Sequence, residues 1–372
     1  MDGRAANTRN RVGVNVYCHE IIRALAHAAA DVRLRVYLDR APLDDFPVTA
    51  AEAEIHVLPL VRRWTLRQLS RELRRDPPDV FLVPTLQYPC FTPCPKVAVA
   101  HETAFMYLPE CWGRWQRFQT KSLLRLACRR AHHMMAITQV VKDDLVRWFH
   151  MPPDRVTVAH YGVSPELRPC TDQDAMRRVR EKFSLPGRYV LFIGRLSPRK
   201  NVGRQIQAFE TLLRRHPELP HHFVIAGDKG WMYDDIFAQA EQSPVKDRLH
   251  FLGLVHREDI PPLLAQADVL MQPALWEAFG IPVLEGMAGG VAVLTSDRSG
   301  LAEIAGDAAV RVDPHDVEAI ANGLERLILD EDFRAEIVAK GLERAKNFTW
   351  EKTARITLAA LRRAARTEGK KG

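Results

Sequence analysis

No run of apolar residues in this 372-residue chain approaches the roughly 18 that a membrane-spanning helix needs. The opening MDGRAANTRNRVG is polar and has nothing like the apolar centre of a secretion signal. These two absences lead us to expect a cytoplasmic protein. Cysteine is sparse and scattered, at Cys18, Cys90, Cys94, Cys111, Cys128 and Cys170. Cys90 and Cys94 have no second pair at zinc-ligand spacing, so the thiols read as buried or idle. We find no internal repeat and no low-complexity stretch in the body of the chain. No Asp-x-Asp triplet is assigned to a metal.

What is present is a globular composition: 47% apolar and 27% charged residues. At this length it suits two domains with their own cores. Charge is uneven. Residues 1–163 hold 23 Lys and Arg against 16 Asp and Glu, whereas residues 164–372 hold 30 of each. The whole net charge of +7 therefore sits on the first half. That half is expected to meet something anionic: a membrane surface, a lipid phosphate or a nucleic acid.

Short apolar runs alternate with longer helical patterns. In the first half the runs are 79–84, 96–102, 133–138 and 155–162; in the second they are 189–194, 222–227, 248–253, 267–273, 291–296 and 309–313. Continuous apolar runs indicate strands buried on both faces, hence parallel sheets, and the helical patterns between them complete βαβ units. Residues 203–216 and 316–329 are clear amphipathic helices, 332–346 a third, and 350–366 a last one with Ile356, Leu358, Leu361 and Ala365 on its apolar side. The polar stretch 164–175, with two prolines, reads as a linker. Phe348 and Trp350 would leave an unusual apolar patch if exposed, so the last helix is expected to cross back onto the first domain.

Two segments of the second half carry chemistry. YVLFIGRLSPRKN (189–201) is a buried strand followed by a loop with Arg195, Arg199 and Lys200. Cations at the carboxyl end of a parallel strand are well placed for a diphosphate, although a solvated basic loop would look the same. PALWEAFGIPVLEGMAGG (273–290) places Pro282 at the first position of a helix, so Phe279, Gly280 and Ile281 form its leading edge. Unpaired amides there make an anion site. Glu277 precedes this helix and Glu285 lies a turn inside it, where an acid is also ordinary.

Together these segments resemble the signature of the family 4 retaining glycosyltransferases of the GT-B fold. The resemblance rests on E-x-F-G-I-P-V-L-E (277–285), G-R-L-S-P-R-K-N (194–201), FLGLV (251–255), VAVLTSDRSGLAEIAGDAAVRVDP (291–314) and FTWEKTA (348–354). It implies an α/β protein with two Rossmann-like doubly wound domains facing across a cleft. Residues 1–165 with 350–372 would bind the acceptor, and 176–349 the nucleotide-sugar donor. Arg195 and Lys200 would bind the donor diphosphate and Glu285 the ribose hydroxyls. Glu277 would lie near the transferred sugar, and the amides of Phe279, Gly280 and Ile281 would meet sugar or phosphate oxygens.

In the first half the resemblance implies a strand leading into a Gly-x-Gly-x-Tyr loop. Here Gly13-Val14-Asn15-Val16-Tyr17 has Asn15 in place of the second glycine. Asn tolerates left-handed backbone, so the turn is expected to survive. The strand itself would be ending at Met1–Gly3, so that either the start lies upstream or the sheet lacks a strand. His101 ends the run KVAVAH and, by resemblance, stands next to the transferred sugar in a catalytic role; otherwise it is a partly buried strand-end histidine. Thr138 is either a site hydroxyl or a helix cap. Leu66, Leu69 and Leu73, ringed by arginines, fit either a helix on an anionic membrane or one packing inward. For 113–130 its apolar content favours core packing.

The expected activity is retaining transfer of a hexose from a nucleoside diphosphate sugar to a glycan or lipid-linked acceptor. GDP-mannose is the favoured donor, with UDP-hexoses next. No metal and no cofactor is called for, since cations do the metal's work, and nucleic acid is not an expected partner because the phosphate-handling residues lie in the neutral half. Peripheral contact with the inner face of an anionic membrane goes with this reading. The rivals are a catalytically inactive nucleotide-sugar-binding protein and a nucleotide-sugar epimerase of the same fold.

Overall fold

A computed structural model describes residues 1–9, 11–28, 31–230 and 232–368. Residues 369–372, the end of the segment assigned above to the first domain, lie outside it. The chain divides into two compact units, Met1–Ser164 together with Phe348–Gly372, and Pro165–Asn347.

The first unit opens with α1 (Val14–Ala28), β1 (Arg35–Leu38) and β2 (Glu54–Val57). A π-helical turn, Thr65–Leu69, runs into α2 (Ser70–Arg75). Then come β3 (Phe81–Val83), β4 (Lys96–Ala100), α3 (Arg114–Arg130), β5 (His133–Ala136), α4 (Gln139–Phe149) and β6 (Val156–Val158). The sheet β3-β4-β5-β6 is wholly parallel, and β1 pairs with β2, also in parallel. The apolar runs mark β3 to β6; β1 (RVYL) and β2 (EIHV) are too short and too polar to show in that way. The backbone at Met1–Gly3 lies along β1, with Gly3 N–H donating to Tyr37 O at 2.9 Å and Tyr37 N–H to Met1 O at 3.0 Å.

Two expectations for this unit change. Asn15 is not in a left-handed turn: Gly13 takes the positive φ of 53°, and Asn15 is already inside α1. A single left-handed residue turns the chain, after which right-handed geometry begins. The leucines of 61–75 do not form one exposed stripe. Leu69 and Leu73 are buried while Leu66 is 50% exposed. The π turn advances fewer degrees per residue than an α-helix, so Leu66 leaves the face that the other two share.

The second unit begins with α5 (Gln173–Lys182), capped by Asp172, so the polar stretch 164–175 ends as a helix cap. It continues β7 (Tyr189–Ile193), α6 (Val202–Arg215), β8 (His222–Ala226), α7 (Asp234–Gln242), β9 (Leu249–Gly253), α8 (Ile260–Leu264) and β10 (Val269–Gln272). After these come α9 (Ile281–Gly289), β11 (Ala292–Ser296), α10 (Ser299–Ala305), β12 (Val310–Val312), α11 (Val317–Leu329) and α12 (Glu331–Ala345). The six parallel strands lie in the order β12-β11-β10-β7-β8-β9. Ile206, Phe209 and Leu212 of α6 and Ile320, Leu324 and Leu327 of α11 close over Phe192, Phe223, Ile225 and Leu294 of the sheet. The order reverses between β7 and β10, which makes the ends of these two strands the topological switch point where such sheets bind ligands.

The chain then returns to the first unit as α13 (Trp350–Glu368), packed on α1. Trp350, Ala354, Leu358, Leu361 and Ala364 are buried; Ile356 and Ala365 are partly so. Val163 N–H donates to Phe348 O at 2.9 Å and Thr353 Oγ1 to His160 O at 2.5 Å. No helix among the described residues is long and apolar enough to cross a membrane.

Candidate active site

The loops leaving β7 and β10 meet at the switch point. The first makes a 3-10 turn, Pro198–Lys200, that brings Arg199 and Lys200 round to one acid. Arg199 Nη1 and Lys200 Nζ each stand 2.7 Å from Glu277 Oε1. Asn201, at φ 63°, fastens the loops together: its side-chain amide donates to Pro273 O at 2.9 Å and to Pro314 O at 2.7 Å. Leu275 N–H donates to Arg199 O at 2.9 Å. Arg195, on the same loop, is exposed, and its guanidinium makes no ion pair or hydrogen bond among the described residues.

On the loop after β10, Gly280 caps α9 at φ 97°, a backbone that a side chain would strain. Ile281 is the first helical residue and Pro282 the second, one place later than the sequence reading. Among the described residues the amides of Gly280 and Ile281 have no acceptor. Gly300 lies directly under this loop, where a Cβ would come within 2.2 Å of Ala278 O. Its N–H donates to Glu277 O at 2.9 Å, and Glu277 N–H to Ser299 Oγ at 3.2 Å.

The two glutamates of the motif are in opposite electrostatic states. Burial pushes the Glu277 carboxyl up, but Arg199 and Lys200 more than offset this, and its pKa lies below the usual value. Glu277 is a fixed anion. Glu285 is equally buried and has no hydrogen bond or ion pair among the described residues. Desolvation raises its pKa to about 7, against a weaker downward pull from Arg257. A buried acceptor without a protein donor can accept from a ligand's hydroxyls.

His101 follows β4 in the first unit. Its Nε2 lies 2.7 Å from Pro84 O and its Nδ1 2.5 Å from Tyr161 OH. A carbonyl can only accept, so Nε2 carries the proton and Nδ1 accepts from the tyrosine. Burial lowers the pKa to about 4, partly countered by the Pro84 carbonyl. The ring is thus neutral with both nitrogens engaged, which leaves no lone pair for proton transfer. Tyr17 meets it edge-on at 4.8 Å, and Trp350 stacks on Tyr161 at 5.8 Å. Tyr161→Phe is expected to lower unfolding free energy by about 1 kcal/mol in urea denaturation, the worth of one neutral hydrogen bond. An unchanged midpoint would mean that Tyr161 does not hold the ring.

Thr138 caps α4, accepting from Val141 N–H at 3.3 Å. Glu102 accepts from the amides of Thr103 and Ala104, at 2.9 and 2.8 Å, and braces the loop after His101. Asp-x-Asp triplets do occur, at 172–174 and 330–332, but the leading Asp of each caps a helix.

The structure therefore brings Lys200, Glu277, Gly280, Ile281 and Glu285 onto the adjoining loops and helix of one switch point, with Phe279 between them and Arg195 on the loop that carries Lys200. Gly13, Asn15 and His101 belong to the other unit. The sequence counted Arg199 among the cations of its loop without giving it a partner, and gave Asn201 no role. The signal for Arg199 was an acid, Glu277, that needed a countercharge. The signal for Asn201 was an Asn directly before an uncapped helix.

Cations, unfilled helix-end amides and a buried acid thus stand together at the switch-point crevice of a parallel α/β sheet. Residues 175–344 match the profile of the group 1 glycosyl transferases, and residues 12–167 that of Glycosyltransferase Family 4. The chain is 29% identical over 330 residues to the O-antigen chain mannosyltransferase B of Escherichia coli, covering 88% of this chain and 82% of that one. It is 28% identical over 274 residues to the serotype-specific mannosyltransferase WbdA of the same species, covering 72% of this chain but only 33% of that one. Sucrose-phosphate synthase from Thermosynechococcus elongatus superposes with a TM-score of 0.76 at 18% identity, over 99% of this chain and 98% of that one. HepE of Anabaena, solved with UDP and glucose, superposes at 0.73 and 19% identity, over 95% and 96%. This chain belongs to the family 4 glycosyltransferases and has the GT-B fold.

Proposed function

We propose that this glycosyltransferase moves a hexose, with mannose favoured, from a nucleoside diphosphate donor to a glycan or lipid-linked acceptor and keeps the anomeric configuration. The observation that carries the proposal is the Arg199–Glu277–Lys200 cluster beside the unfilled amides of α9. Arg195, Lys200 and the amides of Phe279, Gly280 and Ile281 take the diphosphate and, with it, the charge that grows as the sugar departs. Glu277, held in place by its two cations, accepts from hydroxyls of the transferred sugar, and Glu285 from the ribose. The anomeric carbon loses its bond to the diphosphate oxygen and gains one to the acceptor oxygen on the same face. The acceptor proton passes to the departing diphosphate. His101 serves as a neutral, fixed wall of the acceptor unit. Fixed cations stand where other transferases place a metal, so turnover is expected to survive EDTA. GDP-mannose is favoured because two relatives that match 88% and 72% of this chain are named mannosyltransferases; HepE, solved with UDP and UDP-glucose, keeps UDP-hexoses as the next choice. We place the enzyme in the cytoplasm, in peripheral contact with the inner face of the membrane.

The test is donor hydrolysis across GDP- and UDP-sugars with EDTA present, followed by NMR of the product anomer. GDP-mannose should be consumed fastest and release the α-anomer of mannose ahead of mutarotation. Preference for a UDP-hexose would move the donor assignment. Nucleotide binding without turnover of any donor would overturn the enzymatic reading.

A further inference from the structure

The sequence favoured core packing for residues 113–130, and the structure overturns this. In α3 only Leu124, Ala127 and Cys128 are buried. Trp115 is 75% and Phe118 62% exposed. Three residues apart, they share a helix face, and their rings lie 5.7 Å apart at 30°. Counting 3.6 residues per turn, this face is opposite the buried one, with Arg114, Lys121 and Arg125 along the strip between. The helix holds six cations (Arg114, Arg117, Lys121, Arg125, Arg129 and Arg130) and no acid. None of the six side chains makes an ion pair or a hydrogen bond among the described residues.

We infer that the first half of α3 docks on an anionic lipid bilayer. Two large aromatics at one tip have their apolar bodies in water at a cost that the interfacial zone of a bilayer removes. Unpaired cations beside them match a negative headgroup layer. A second copy of the same face would set cation against cation. A single-stranded nucleic acid would stack bases on open rings, but Trp115 and Phe118 already cover each other. This inference specifies the membrane contact proposed above and moves it away from residues 61–75. It does not depend on which donor is used.

The test is co-sedimentation of the full chain with vesicles of phosphatidylglycerol and phosphatidylcholine at low and high salt. The wild type should bind, release with salt, and ignore pure phosphatidylcholine. W115S/F118S should lose binding by at least about tenfold, and R114Q/K121Q by about 25-fold, roughly fivefold per cation. Donor hydrolysis and thermal midpoint should be unchanged in both. Absence of wild-type binding at low salt overturns the membrane reading as a whole. Wild-type binding retained in W115S/F118S overturns the assignment to α3 alone. Binding to a single-stranded oligonucleotide, or self-association, lost in the same variant without vesicle binding would replace the bilayer with that partner.

Discussion

Lys200→Ala should slow turnover by about a hundredfold or more, the usual loss when one fixed donor to a developing charge is removed. The donor nucleotide should also bind at least about tenfold more weakly, since a hydrogen bond to a charged group is worth about 1.5 kcal/mol or more. The fold should survive. Arg199 remains 2.7 Å from Glu277, so the buried carboxylate keeps a countercharge. Only removal of both cations would strand it, the situation that makes broken buried pairs costly. Glu277→Gln should behave differently: nucleoside diphosphate affinity is spared while turnover falls, because we assign this acid to the sugar. Calorimetric titration with the bare nucleotide, beside steady-state kinetics, separates the two. Unchanged affinity in Lys200→Ala would remove that residue from the diphosphate site, and equal loss of affinity in both variants would collapse the division of roles.

Glu285→Gln should stabilise the protein in alkali while weakening the nucleotide. The folded pKa of about 7 lies above the ordinary carboxyl value of 4.5. The folded state therefore holds its proton more tightly than the unfolded one, and wild-type stability drains away as pH rises between these values. Below the lower value the variant gains nothing. Above about pH 7 it gains up to roughly 3 kcal/mol, the ceiling set by a shift of that size. Ribose hydroxyls donate best to the ionised carboxylate, so wild-type nucleotide affinity should climb through neutral pH while that of Glu285→Gln stays flat. Denaturant midpoints and titrations from about pH 5 to about pH 8.5 test both arms. A stability difference independent of pH would show that Glu285 is not buried as a lone acid.

Ten of the strands and the α6, α11, α12 and α13 helices were legible in the sequence, because strands covered on both faces are continuous apolar runs and covering helices are periodic ones. The site loops were legible for a related reason. A parallel strand ending in glycine and cations, and a Gly-Ile-Pro helix start between two glutamates, are local patterns whose chemistry holds wherever the fold puts them. β1 and β2 escaped because four mixed residues carry no period.

By itself, then, the sequence determined the α/β class, the doubly wound architecture, the family and the two loops that meet at the switch point. Tertiary structure alone decided which cations Glu277 would meet, Arg199 with Lys200 rather than Arg195. It decided that Glu285 would be buried without a hydrogen bond or ion pair among the described residues, that His101 would spend both nitrogens on Pro84 and Tyr161, and that Trp115 and Phe118 would face outward. Secondary structure and turn chemistry follow from neighbours along the chain. Protonation, ion pairing and exposure are sums over whatever distant residues the fold brings within a few ångströms, and no window of sequence contains those residues.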